Sequence, residues 1–172
     1  RNLDDLRRRL KGILLRRTRS MVMSDLPPRT TETLRIPPTE EQAQIHAGQK
    51  RIISTILAKK YLSEMDLLRL QKALLLCRLV ADSTYLVDKE APGYSSKLKE
   101  LEYLLGELLA EEDRKIILFS EWTTMLDLIQ PLLDANGAKY IRLDGSVPQR
   151  KRQGLMRSFQ TDPEYRLFIT TN

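Results

Sequence analysis

From Lys115 to Asn172 the chain repeats one hydropathy pattern: a short apolar run, a turn, then an amphipathic helix. Ile116 to Phe119, Tyr140 to Leu143 and Leu167 to Ile169 are short, rich in β-branched and aromatic residues, and bounded by polar ones. That pattern predicts strands buried on both faces. Between the first two, Met125, Leu128, Ile129, Leu132 and Leu133 recur at helical spacing until Asn136-Gly137, a helix stop. Pro148 suits a first helical turn, and Leu155, Met156 and Phe159 form the apolar face of a second helix. Strands joined through helices run parallel, and such crossovers are right-handed in nearly every case. The fold class is therefore α/β, with a parallel βαβαβ sheet.

Upstream the pattern is helical. Leu3, Leu6, Leu10 and Ile13 fall on one helical face, with Asp4 and Asp5 at its positive start and Arg7, Arg8, Arg9, Lys11, Arg16 and Arg17 following. Thr31 to Ile36 alternates as a strand able to extend the edge of the sheet, bracketed by Pro27-Pro28 and Pro37-Pro38. Thr39 with Gln42 and Ser63 with Asp66 form capping boxes. They open one helix running to about Lys60 and another carrying Leu67, Leu70, Leu74 and Leu75 toward Leu79. Asp88 to Ser95, with Pro92-Gly93, reads as a loop and as the best internal boundary. Leu98, Leu101, Leu104, Leu105 and Leu108 then mark an amphipathic helix leading into the sheet. Three regions follow: 1–38, a basic helix and edge strand; 39–90, a helical appendage; and 91–172, the α/β part.

In a parallel sheet all strands open their carboxyl ends on one edge, where ligands of such folds bind. The segments there are Ser120-Glu121-Trp122, Asp144-Gly145-Ser146 and Thr170-Thr171-Asn172, all small or polar apart from Trp122. Ordinary solvated turns would look the same, so the spacing alone leaves both readings open.

Composition narrows the chemistry. Of 172 residues 41% are hydrophobic, enough for a real core, and no apolar run approaches the ~20 residues of a spanning helix. Cys77 is the single cysteine and His46 the single histidine. This excludes an intrachain disulfide and a histidine-rich zinc site. Both residues are expected simply to pack. The net charge is +6, and residues 1–35 hold ten Lys/Arg against four Asp/Glu while the remainder is balanced. A basic helix suits a polyanion such as DNA, or else a solvated face or an acidic neighbouring domain. The start at Arg1 and the end directly after an apolar run suggest an excised fragment.

LLRRTRSMVMSDLPPRTTETLRIPPTEEQ resembles the segment joining the two motor lobes of Swi/Snf-type ATPases. KLKELEYLLGELL, KIILFSEWTTMLDLI, YIRLDGSVPQRKRQGLMRSF and LFITTN resemble, in order, the start of that family's second RecA-like lobe, ending within motif V. LLLCRLVAD is similar to a helix of the same family. The sequence departs from the family at Glu121, where glutamine is common, and at Asn172, where lysine or arginine is.

The resemblance implies a helicase-like ATPase that translocates on double-stranded DNA and remodels DNA-bound proteins, using ATP and Mg2+ in the full-length protein and working with a first RecA-like lobe. It implies an intracellular site: cytoplasmic in a bacterium or archaeon, nuclear in a eukaryote. No G-x-x-x-x-G-K-[ST] occurs in these residues, so by themselves they are expected to bear no catalytic residue, to bind no cofactor and to be inactive. By the same resemblance Ser120, Gly145, Gln149, Arg152, Thr170 and Thr171 contact DNA, and Arg16 and Arg17 couple the lobes. Gln149-x-x-Arg152 matches a helicase-like motif, with Arg152 gripping a phosphate beside a helix start. The alternatives are local: Arg152 paired with Asp144 or Glu121, and Gln149 capping its helix. An α/β domain binding a small phosphorylated ligand, or a protein-interaction module, also fits parts of the pattern.

Overall fold

The computed structural model describes residues 3–14 and 29–171, divided into two compact units, 1–35 and 36–172. Arg16, Arg17 and Asn172 lie outside the described residues. In the first unit helix α1 (Leu3–Leu10) carries Asp4 and Asp5 in its first turn and Arg7, Arg8 and Arg9 in its last, the arrangement its dipole favours. Arg7 pairs with Asp4, and both Arg8 and Arg9 pair with Asp5, so these charges are partly matched within the helix. The helix stops before Ile13, in a turn that contains Gly12, a poor helix former.

The strand expected over Thr31 to Ile36 is not formed; residues 29–39 carry no regular secondary structure. An alternating run becomes a strand only where a neighbour supplies ladder hydrogen bonds, and Thr31 to Ile36 make no backbone–backbone hydrogen bond among the described residues.

The second unit opens with a pair of packed helices, α2 (Glu40–Leu57) and α3 (Glu64–Asp82), each begun by the expected capping box. Gln42, only 1% exposed, does more than cap: Oε1 accepts from the Thr39 and Ser96 amides, each at 3.1 Å, while Nε2 donates to the Val80 carbonyl at 2.7 Å. One side chain thus ties α2 to α3 and to α4 (Ser96–Ala110), which Ser95 caps. The leucine face expected on α3 is not its buried one. Ala73 and Val80 are buried, while Leu67, Leu74 and Leu75 are exposed, because small side chains let paired helices approach. His46 is exposed rather than packed. Cys77 is half-buried, and burial raises its thiol pKa, as for an inert helical thiol.

The sheet comprises β1 (Ile116–Ser120), β2 (Tyr140–Leu143) and β3 (Leu167–Thr171), all parallel, in the order β1-β3-β2. Helix α5 (Thr123–Ala135) follows β1, and α6 (Gln149–Thr161) follows β2. The core joins Leu105 of α4 and Met125, Leu126, Ile129 and Leu133 of α5 to Leu167 and Ile169 of β3. On the opposite face Phe159 of α6 meets Phe168, with ring centroids 5.2 Å apart. Burial on both faces holds for the central strand β3 but not for β1, whose Ile117 and Phe119 are exposed. Helix α6 lies against β2 and leaves that part of the sheet open. Gly137 ends α5 with a φ of 64°, and the Ala138 amide bonds the Leu133 carbonyl while that of Gly137 bonds Asp134. This is a Schellman stop, which needs a residue at ease in the left-handed region.

Candidate nucleic-acid interface

The ladder register sets Ser120 beside Thr171 and Leu143 beside Thr170, so the three strands finish level on one edge. Two helices begin there. Their N-cap residues, Trp122 and Pro148, give no side-chain cap, whereas α2, α3 and α4, which start elsewhere, are capped by Thr39, Ser63 and Ser95. First-turn amides of α5 and α6 are thus left without side-chain acceptors, and they point where an anion is favoured by the helix dipole.

The expected contact residues divide into two groups. Gly145 and Gln149 are exposed at the edge. A Cβ built on Gly145 would meet no atom within 4 Å, and its φ is not positive, so the fold itself does not demand glycine there. Gln149 does not cap α6. The others are engaged. The Ser120 hydroxyl accepts from the Trp122 amide at 3.1 Å and lies 3.2 Å from its carbonyl. Thr170 is buried and donates to the Leu143 carbonyl at 2.6 Å, stitching β3 to β2; Thr171 is half-buried beside Ser120. Arg152 pairs with neither Asp144 nor Glu121 through a carboxylate. Its Nη2 donates to the Asp144 carbonyl at 2.9 Å and its Nε to the Val147 carbonyl at 3.1 Å, clamping the loop before α6.

Sequence reasoning missed what holds this loop from within. The buried Asp144 carboxylate accepts from the Ser146 hydroxyl at 2.6 Å, the Ser146 amide at 2.9 Å and Arg142 Nε at 2.7 Å. The Ser146 hydroxyl, then Arg142, then the Ser146 amide hold its pKa down to about 2. Asp-Gly-Ser carries a turn signal, an Asp side chain bonding the amide two residues on, that could have been read. Arg142 also pairs with Asp127 at 2.6 Å, fastening β2 to α5. The long-range contacts of Arg142 leave no such local mark.

Among the described residues no group of three or more His, Cys, Asp or Glu is placed to hold a metal ion, and no helix is long and apolar enough to cross a membrane.

Residues 96–172 match the family described as Helicase conserved C-terminal domain. The chain is 30% identical over 186 residues to chromodomain-helicase-DNA-binding protein 1-like of Danio rerio, covering 98% of this chain and 17% of that protein. It is 34% identical over 130 residues to DNA repair protein rhp54 of Schizosaccharomyces pombe, covering 71% and 15% respectively. Its fold is shared with the Sulfolobus solfataricus SWI2/SNF2 ATPase core solved in complex with dsDNA, at a TM-score of 0.71 and 20% identity, over 98% of this chain and 36% of that one. The crystal structure of the C-terminal part of the Fun30 ATPase domain also aligns, at a TM-score of 0.65 and 17% identity over 85% of this chain and 70% of that one. The chain spans about a fifth of the length of the first curated relatives it matches. Its parallel sheet is the RecA-like architecture, and the chain belongs to the Swi/Snf-type helicase-like ATPase family.

Proposed function

We propose that the chain is part of an ATP-driven motor on double-stranded DNA, and that its contribution is the level sheet edge, which receives the DNA backbone. The observation that carries this reading is the exposed Gly145, required by no packing or dihedral, set before a helix start without a side-chain cap. A backbone able to come close to an anion explains glycine there where the fold does not. The family membership and the shared fold with the Sulfolobus solfataricus SWI2/SNF2 ATPase core solved with dsDNA support duplex DNA as that anion.

In this reading residues 91–172 form part of the second RecA-like lobe, 39–90 an appendage on it, and 1–38 the segment joining the lobes. Ser120, Gly145, Gln149, Thr170 and Thr171 face or shape the DNA edge, with Arg152 holding its central loop. ATP and Mg2+ then act in the full-length protein, with groups these residues do not supply. The same reading puts the protein in the compartment that holds DNA, acting on DNA-bound proteins.

The test is Gly145→Val in the full-length protein. The added Cβ meets no atom within 4 Å, so the melting temperature should hold within a few degrees, while duplex-DNA affinity falls about tenfold or more, on the scale of one lost charged contact. Unchanged affinity with an unchanged fold would remove the edge from the interface.

A further inference from the structure

Of the three edge segments, only Ser120-Glu121-Trp122 presents a solvent-facing carboxylate. Asp144 is buried and matched by Arg142, whereas the Glu121 side chain is 49% exposed. A bare carboxylate at that place would repel a phosphate. It is not bare: Arg78, from the far end of the appendage helix α3, pairs with Glu121 and lays its guanidinium over the Trp122 ring, 5.7 Å from the centroid. The Arg78 side chain is itself 58% exposed. Its reach therefore brings a cation from the helical appendage to the mouth of the β1–α5 turn, next to Ser120 and the uncapped first turn of α5.

We propose that Arg78 is a DNA-backbone-binding residue held in place by Glu121, and that the interface extends from the sheet edge onto helix α3. The proposal rests on the reading of the edge given above. Two arguments carry it. An exposed pair of this kind is weak, favouring the paired state by about one- to fivefold, so a phosphate can draw Arg78 away or share it. The guanidinium is also positioned: it lies over the Trp122 ring as a cation–π contact while Nη2 donates to Glu121, and its five donors in a fixed fork suit bidentate phosphate recognition. Glu121 thereby keeps Arg78 at the edge without DNA and offsets its charge, so that the empty edge is not a strong general anion trap.

The experiment measures affinity of the full-length protein for a labelled duplex of fixed length at several NaCl concentrations. Glu121→Gln frees Arg78 and should tighten binding about two- to fivefold, the reverse of the pairing it removes. Arg78→Ala should weaken binding and lower the slope of log affinity against log salt by about 0.9, the value of one phosphate contact. The double variant should bind more tightly than Arg78→Ala alone, since the unpaired carboxylate is gone. A merely structural strut would not move the salt slope. If Glu121→Gln is silent or weakens binding while Gly145→Val weakens it, the Arg78 assignment falls and the edge stands. If Gly145→Val is silent as well, the reading of the edge falls with it.

Discussion

Replacing Asp144 by Asn tests whether the loop before α6 is held by a charge. The amide keeps the shape and an oxygen for Ser146, but it turns an NH2 toward Arg142 Nε, a donor against a donor. The carboxyl titrates at about 2 instead of 3.8. At ~1.36 kcal/mol per pKa unit that difference corresponds to about 2.4 kcal/mol. Solvent screening in a surface loop reduces it to about 1–2 kcal/mol. Because the folded-state pKa is depressed, this stabilisation is present above the ordinary carboxylate value and is lost as pH falls toward about 2. Urea unfolding at neutral pH should therefore find Asp144→Asn less stable by about 1–2 kcal/mol, with the gap to wild type shrinking below about pH 5 and nearly closed by about pH 2. Asp66, lowered to about 2 mainly by its hydrogen bond from Lys59, titrates in the same window but is common to both proteins and cancels. A gap that is absent at neutral pH, or that persists unchanged down to about pH 2, refutes the charged-loop account.

Gln42→Ala should cost about 2–4 kcal/mol in the same assay, since it leaves the Val80 carbonyl and the Ser96 amide without their partner; a loss below about 1 kcal/mol would show that water replaces the side chain. Arg152→Ala should weaken DNA binding by loosening the loop, while lowering the salt slope by much less than the ~0.9 of a direct contact; a full-unit drop would make it a phosphate ligand instead. Replacing Arg16 and Arg17 together by Ala in the full-length protein should lower DNA-stimulated ATP turnover more than DNA affinity, and the opposite order would move the DNA contact to the basic N-terminal segment.

The sheet was readable because each strand and helix carries its own periodicity and stop signal, as Asn136-Gly137 does for α5. Both capping boxes were readable for the same local reason. The strand order was not, because nothing in LFITT records that it lies between two earlier strands. Nor was the open face at Ile117 and Phe119, since an apolar strand looks the same whether or not a helix covers it. The Thr31–Ile36 alternation misled for a related reason: a strand needs a neighbour, and periodicity does not supply one. At the edge, Gly145 and Gln149 were found from the motif and stand exposed. Arg152 sits in the first turn of α6, as the motif places it, but its donors turn to the Asp144 and Val147 carbonyls of the preceding loop, a matter of rotamer and carbonyl geometry that spacing does not encode. Gln42 was read as a cap, but its bonds to Val80 and Ser96 join residues 38 and 54 positions away and have no local signature.

The central claim, that DNA meets the edge where the strands end, is tested most directly by site-specific photocrosslinking. A photoreactive residue is placed in the full-length protein at position 149, on that edge, or at position 139, just before β2 at the opposite end of the sheet. The account predicts that labelled duplex crosslinks from position 149 in a salt-sensitive manner and not from position 139. Crosslinking from position 139 with none from position 149 would contradict it.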